Sequence, residues 1–203
     1  MAPKLYSYIV KYDTGLAPNP FLGYCTLALC TPNHMGISPE PGNSWIAGFS
    51  QKEYGNKLIY LMRVDEVMGF NQYYKDPRFE KKKPKVHGKW QEKVGDNMYY
   101  KNNLNKWEQH KTKYHRSEAE IEKDLRLKDR KHRSPMVFIS EHYFYFGEKA
   151  IDLPDEFKKL IYKTRGIKCG HDNDLVISFL EWIHRTYSPG IIGLPRDRKK
   201  IIC

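Results

Sequence analysis

Cysteine is scarce in this sequence, and so are the signatures of the large enzyme classes. Four cysteines, Cys25, Cys30, Cys169 and Cys203, occur in 203 residues. Cys25 and Cys30 fall on one expected strand at odd spacing, where side chains alternate between faces, so they suit neither a shared metal nor a disulfide. Reduced thiols in a cytoplasmic protein are the expectation. No window approaches the ~18 apolar residues of a membrane span. The opening stretch, MAPKLYSYIV, runs straight into a strand pattern and does not read as a secretory leader. The phosphate loop, G-x-G-x-x-G, G-x-S-x-G and H-E-x-x-H are all missing, which argues against NTPases, dinucleotide enzymes and the common hydrolases. His110 and His115 lie beside neither a Cys pair nor a carboxylate motif, so no metal and no cofactor is expected. Acidic residues are also in short supply, with 24 Asp and Glu against 35 Lys and Arg, a formal net charge of +11 and a pI near 9.3. That balance favours a polyanionic partner, nucleic acid or a nucleotide; the lack of a spanning window is why no membrane partner is expected. Oligomeric state is left open.

What is present suits one domain spanning 1–203, with a core at about 4–154, a charged insertion at about 111–133 and a helical extension at about 155–203. The hydrophobic share of 40% supports a core, and the aromatic share of 14% also allows stacking surfaces for bases. Strand-like runs at 5–12 and 23–30 bracket a loop with Asp13, Gly15, Pro18, Asn19, Pro20 and the large apolar Phe21. We expect these two strands to form a rigid base that presents the loop as a pocket rim. Further strands are expected at 44–50 and 57–64; the second is apolar on both faces and should be central to its sheet. Asp65 is placed to cap a helix over 66–74, which must stop before Pro77. Residues 95–101 read as a turn entering a strand, with 106–109 as its hairpin partner. Ser117 and Glu120 suggest a capping box for the charged 111–133 segment. One long strand is expected over 135–146, a helix over 155–164, and an amphipathic helix over 172–186 with Leu175, Phe179, Leu180 and Ile183 facing the sheet.

Several residues are candidates for chemistry. Asp13 and Asn19 can hydrogen-bond a base edge or a ribose, or simply stabilise turns. Asp96 and Asn97, before Tyr99 and Tyr100, can line the same pocket, or form a hairpin turn ahead of core tyrosines. His142 is an acid/base or base-contacting candidate, against the ordinary role of a hydrogen-bonded strand histidine. The run 78–93 is strongly basic. Arg78, Lys81, Lys82, Lys83, Lys85 and Lys89 are candidates for phosphate contact, with Phe79 and Trp90 for stacking; the alternative is a solvated loop.

The segments KLYSYIVKYDTGLAPNPFLGYCTLALCTP, WIAGF, LIYLMRVDEVMGFNQYYKDPRF, GDNMYYK and ISEHYFYFGEKAIDLP, in that order, resemble the second nucleotide-modification-associated domain family. The resemblance implies a nucleotide-related role in bacterial or phage systems that make, recognise or process hypermodified DNA bases. It does not supply a mechanism. The element order is also similar to small barrels of the PUA, EVE and YTH kind, which hold a base in an aromatic-lined pocket.

The expected fold is therefore α+β: a mixed, strongly curved sheet or small PUA-like barrel with helices at its edge. The expected function is recognition of a nucleotide or modified base. In that scheme Lys11, Asp13, Asn19 and Phe21 form the rim, Trp45 or Tyr99 stacks, Asp96 and Asn97 meet the base edge, and Arg63 or the 78–89 segment meets phosphate. One alternative is an enzyme using Asp13 or Asp96 with His142. The other is a phage or defence factor that sequesters a nucleotide signal.

Overall fold

The computed structural model describes residues 2–29, 37–110, 112, 118–125, 136–164 and 166–198. In chain order the strands are β1 (Lys4–Ile9), β2 (Cys25–Leu27), β3 (Ser44–Phe49), β4 (Leu58–Val64), β5 (Glu66–Gly69), β6 (Tyr99–Lys101), β7 (Trp107–Gln109), β8 (Met136–Ser140), β9 (Tyr143–Tyr145), β10 (Ile167–Lys168) and β11 (Gly190–Ile191). The α-helices are α1 (Phe70–Lys75), α2 (Trp90–Lys93), α3 (Glu118–Leu125) and α4 (Asn173–Thr186). Short 3-10 helices cover Pro77–Lys82 and Asp155–Leu160, among others. The backbone divides into two compact units.

Unit 1 comprises Met1–Thr14, Ser38–Glu66 and Ser140–Cys203. Its six-stranded mixed sheet has the order β10-β1-β3-β4-β9-β11. β1 runs parallel to β3, and β4 runs antiparallel to both β3 and β9. β4, apolar on both faces, sits inside the sheet as its pattern predicts. α4 lays Val176, Phe179, Leu180 and Ile183 into a core with Leu5, Ala47, Phe49, Leu61, Phe144 and Phe146. Burying each such side chain stabilises by about 1.5–3 kcal/mol. The Asp172 carboxylate caps α4 by accepting from Leu175 N at 2.9 Å, which satisfies one of the free amides of its first turn.

Unit 2 comprises Gly15–Ile37 and Val67–Ile139. It contains the sheet β2-β8-β5, of which β5 starts one residue earlier and β8 ends one residue later, and the hairpin β6–β7. Its core gathers Met68, Phe70, Tyr73, Phe79, Met98, Tyr99, Val137 and Ile139, joined by Ile121 and Leu125 of α3.

The expected α+β class with a mixed sheet stands; among the described residues the six-stranded sheet does not close into a barrel. Five local expectations change. The helix expected over 66–74 begins only at Phe70, because Glu66–Gly69 is strand β5. Asp65 caps no helix; its carboxylate accepts from Glu141 N at 2.7 Å and His142 N at 3.3 Å. That turn splits the strand expected over 135–146 into β8 and β9, which enter different sheets. The opening strands do not form a two-strand base: β1 lies between β10 and β3, and β2 lies beside β8. The helix expected over 155–164 is the shorter 3-10 helix Asp155–Leu160. Cys30, His115 and Ser117 lie outside the described residues, as does most of 111–133. Among the described residues no helix is long and apolar enough to cross a membrane.

Candidate functional site

The basic run of unit 2 is not a loose loop. Its first part is the 3-10 helix Pro77–Lys82, started by the Asp76 carboxylate, which accepts from Arg78 N at 3.0 Å. A 3-10 helix repeats every three residues, so Phe79 and Lys82 share a face, and that face is inward. Phe79 is fully buried and packs on the Tyr73 ring at 4.7 Å. Lys82 is only 1% exposed. Its Nζ donates to Asn19 O at 3.1 Å, Asn19 Oδ1 at 2.9 Å and Thr26 Oγ1 at 3.0 Å. Thr26 Oγ1 in turn donates to Asp96 Oδ2 at 2.6 Å, and Tyr73 OH donates to Asp96 Oδ1 at 2.9 Å.

The hydrogen-bond pattern suits charged groups. With Thr26 Oγ1 donating to Asp96, three acceptors surround the Lys82 nitrogen, which suits an ammonium, and two hydroxyls donating to one carboxyl suit a carboxylate. Burial still opposes both charges, lowering the Lys82 pKa and raising that of Asp96. Burial also pushes the nearby Cys25 thiol up to about 12. Gly95 allows the close approach that seals this network: a Cβ there would lie 2.3 Å from the Lys82 carbonyl oxygen.

Around this knot the other unit 2 candidates are inward too. Asn97 donates from Nδ2 to Tyr73 O and Phe79 O. Tyr99 donates to Asp124 Oδ2 at 2.8 Å and is fully buried. Phe21, expected on a rim, is 4% exposed and meets Trp90 edge-on at 5.2 Å. The structure thus brings Asn19, Lys82 and Asp96 together, but as a closed, hydrogen-bonded interior. Lys82 leaves the phosphate-contacting set in this conformation because its ammonium is occupied below the surface.

Outward, the same segment exposes Arg78, Lys81, Lys85 and Lys89. Arg78 pairs with Asp76 at 2.8 Å and Lys85 with Glu92 at 2.8 Å. Lys83 is half-buried, with Nζ 4.0 Å from the centroid of the Tyr74 ring. Tyr74 stacks on Tyr100 at 4.5 Å and on His110 at 5.5 Å. Tyr74 and His110 were not among the stacking residues expected from sequence, and a regular helix and hairpin pattern carries no signal that they meet.

In unit 1, Asp13 is buried. Its carboxylate accepts from Tyr145 OH and from Arg196 N at 3.0 Å, while its own amide donates to Asp197 Oδ2 at 2.9 Å. Burial raises its pKa against those bonds. The arrangement clamps the segment around Arg196 to the loop that follows β1. Lys11 is exposed, over the Tyr12 ring at 5.2 Å.

A second unit 1 group is more open. Trp45 and Arg63 are cross-strand partners on β3 and β4. Arg63 Nε donates to Asp65 Oδ1 at 2.5 Å, leaving its terminal nitrogens at a side chain 39% exposed. His142 lies edge-on to Trp45 at 5.6 Å, and its Nε2 is 2.7 Å from Nε2 of His184 on α4. Burial, with help from His184 and Arg63, lowers the His142 pKa. So three expected residues, Trp45, Arg63 and His142, are neighbours here. His184 was missed; it falls one position after Ile183 at the margin of an apolar helix face, where nothing in the pattern marks it.

The described residues thus hold an anchored basic strip in unit 2 and, in unit 1, a cluster of two imidazoles, a guanidinium and a buried indole. The chain belongs to the nucleotide modification associated domain 2 family, whose model matches residues 2–201. No curated protein matches it. No solved structure matches it either.

Proposed function

We propose that the protein recognises a nucleotide or modified base, carried on a nucleic-acid strand, in a bacterial or phage system of DNA base hypermodification. The observation that carries this reading is the inward–outward division of the basic segment. Phe79 and Lys82 anchor it from below, so Lys81, Lys85 and Lys89 are presented on an ordered backbone. Ordered cations cost less entropy on meeting phosphate than a loose loop does. Stacking of the base on an aromatic ring, as in PUA-like domains, would add about 1–3 kcal/mol and help offset its extrusion from a strand.

The enzyme reading rests on Asp13 or Asp96 with His142; burial raises the pKa of both carboxyls, and Asp13, 1% exposed, already accepts from Tyr145 OH and Arg196 N. At 0% exposure, with both oxygens accepting from hydroxyls, Asp96 meets no substrate atom in this conformation. Recognition therefore fits better. The test combines two measurements on the full chain. Mass spectrometry of small molecules released on denaturation should find a retained nucleotide or modified base. Fluorescence polarisation should show an oligonucleotide bearing a hypermodified base binding at least tenfold tighter than its plain counterpart. Equal affinities with nothing retained would overturn the proposal. Conversion of an added modified nucleotide, abolished by Asp96→Asn, would replace it with the enzyme.

A further inference from the structure

We infer that His142 and His184 form a binding site for a borderline transition-metal ion, Zn2+ or Cu2+, with their two Nε2 atoms as the protein ligands. This site lies wholly in unit 1 and does not depend on the nucleotide reading. The Nε2 atoms are 2.7 Å apart, the ring centroids 5.0 Å apart, and the ring planes within 16° of each other. The two nitrogens therefore meet head on.

The His184 ring is held by the backbone, and the His142 main chain is pinned. His184 Nδ1 lies 2.6 Å from the Leu180 carbonyl oxygen. A carbonyl only accepts, so Nδ1 carries the proton and the Nε2 lone pair faces His142. Metal-bound histidines are oriented in this way, by donation from the other ring nitrogen to a carbonyl or carboxylate. The His142 backbone is fixed on both sides: its N–H donates to Asp65 Oδ2, and its carbonyl accepts from Arg63 N at 3.0 Å and Ser140 Oγ at 2.9 Å. Trp45 and Phe144 wall the pair, each edge-on to both imidazoles at 5.3–5.7 Å. The neighbouring Arg63 is offset by Asp65.

A tetrahedral ion with metal–nitrogen bonds of about 2.0–2.1 Å needs its two ligand nitrogens roughly 3.3 Å apart. That is an opening of roughly 0.6 Å, together with a swing of both rings off the head-on line so that the two lone pairs converge on the ion. Among the described residues no third His, Cys, Asp or Glu completes a cluster, so the other positions belong to water or to an oxygen of a bound molecule. An imidazole-only set selects Zn, Cu or Ni over Mg and Ca, which prefer oxygen.

The test is isothermal titration of the full chain with ZnCl2 at pH 7.5, with MgCl2 in parallel, and Cu2+ electron paramagnetic resonance. The expected result is one Zn2+ per chain, no Mg2+ heat, and nitrogen hyperfine structure from two imidazoles. Affinity should fall at least tenfold in His142→Ala and His184→Ala and stay unchanged in His87→Ala. His184 is exposed, so His184→Ala should fold and is the deciding variant. Absent Zn2+ binding, or binding indifferent to His184→Ala, would overturn the site and leave a plain imidazole–imidazole hydrogen bond.

Discussion

Lys82 gives up water for three oxygens, and its position decides what the rest of the unit 2 interior can be. Replacing it with Met keeps the bulk but removes one donor each from Asn19 O, Asn19 Oδ1 and Thr26 Oγ1, which keep Thr26 N, Phe21 N and Asp96 as partners, and leaves the Asp96 carboxylate without its cation. Breaking a buried charge arrangement from one side costs about 3–5 kcal/mol. Asp96→Asn leaves the ammonium unbalanced instead and should also destabilise. The double variant Lys82→Met/Asp96→Asn should be more stable than the sum of the single losses by about 1 kcal/mol or more. Urea unfolding of the four proteins measures this, and strict additivity would mean the two charges do not sense each other. Asn19 and Asp96 were legible as members of one polar site from residue type and turn context. That Lys82 joins them was not. A run of lysines says nothing about which one turns inward, and its acceptors lie far away in the chain. The one usable signal was its spacing of three from Phe79, which only a 3-10 helix converts into a shared face.

Elements whose cause is local were readable, and those whose cause is distant were not. β4, the β6–β7 hairpin and α4 follow from alternation, turn residues and helical periodicity. β5 was read as helix because its strand state comes from pairing in the sheet β2-β8-β5, which no window of residues 66–74 contains. The break between β8 and β9 depends on Asp65 reaching the amides of Glu141 and His142. A similar distant contact secures the sheet edge at β10. Ser7, in β1, pairs with Lys168 and also meets His171 Nε2 through its Oγ at 2.9 Å. Burial, and next the Lys168 charge, push the His171 pKa down to about 4. An imidazole with a depressed pKa takes up fewer protons folded than unfolded between about pH 4 and 6.5. Its contribution is therefore complete above about pH 6.5 and is lost as pH falls toward 4. His171 remains partly exposed, so we expect a loss of only about 1–2 kcal/mol across that window. Urea midpoints at pH 7 and pH 4.5 should diverge more in the parent chain than in His171→Gln. Equal divergence would remove His171 from the acid response.

At the scale of the whole molecule the dominant quantity is charge, and it separates general attraction from a built interface. A net +11 draws any polyanion, wherever the cations sit. An interface instead releases counterions phosphate by phosphate, with log K falling against log salt by about 0.7 per phosphate contacted on a single strand. Of the four exposed cations on the strip, Arg78 and Lys85 already have carboxylate partners. Lys81 and Lys89 are left as the two most available. Neutralising both, Lys81→Gln/Lys89→Gln, should make the salt slope for a single-stranded oligonucleotide shallower by about 1.4 and weaken binding at low salt. The same two-charge change at Lys52 and Lys57, outside the strip, should leave the slope alone while lowering net charge equally. Folding is not at stake in the strip variant, since the anchoring side chains Phe79 and Lys82 are untouched. If both pairs of substitutions shift the slope alike, the charge acts as a diffuse field and the strip is not where the strand lies.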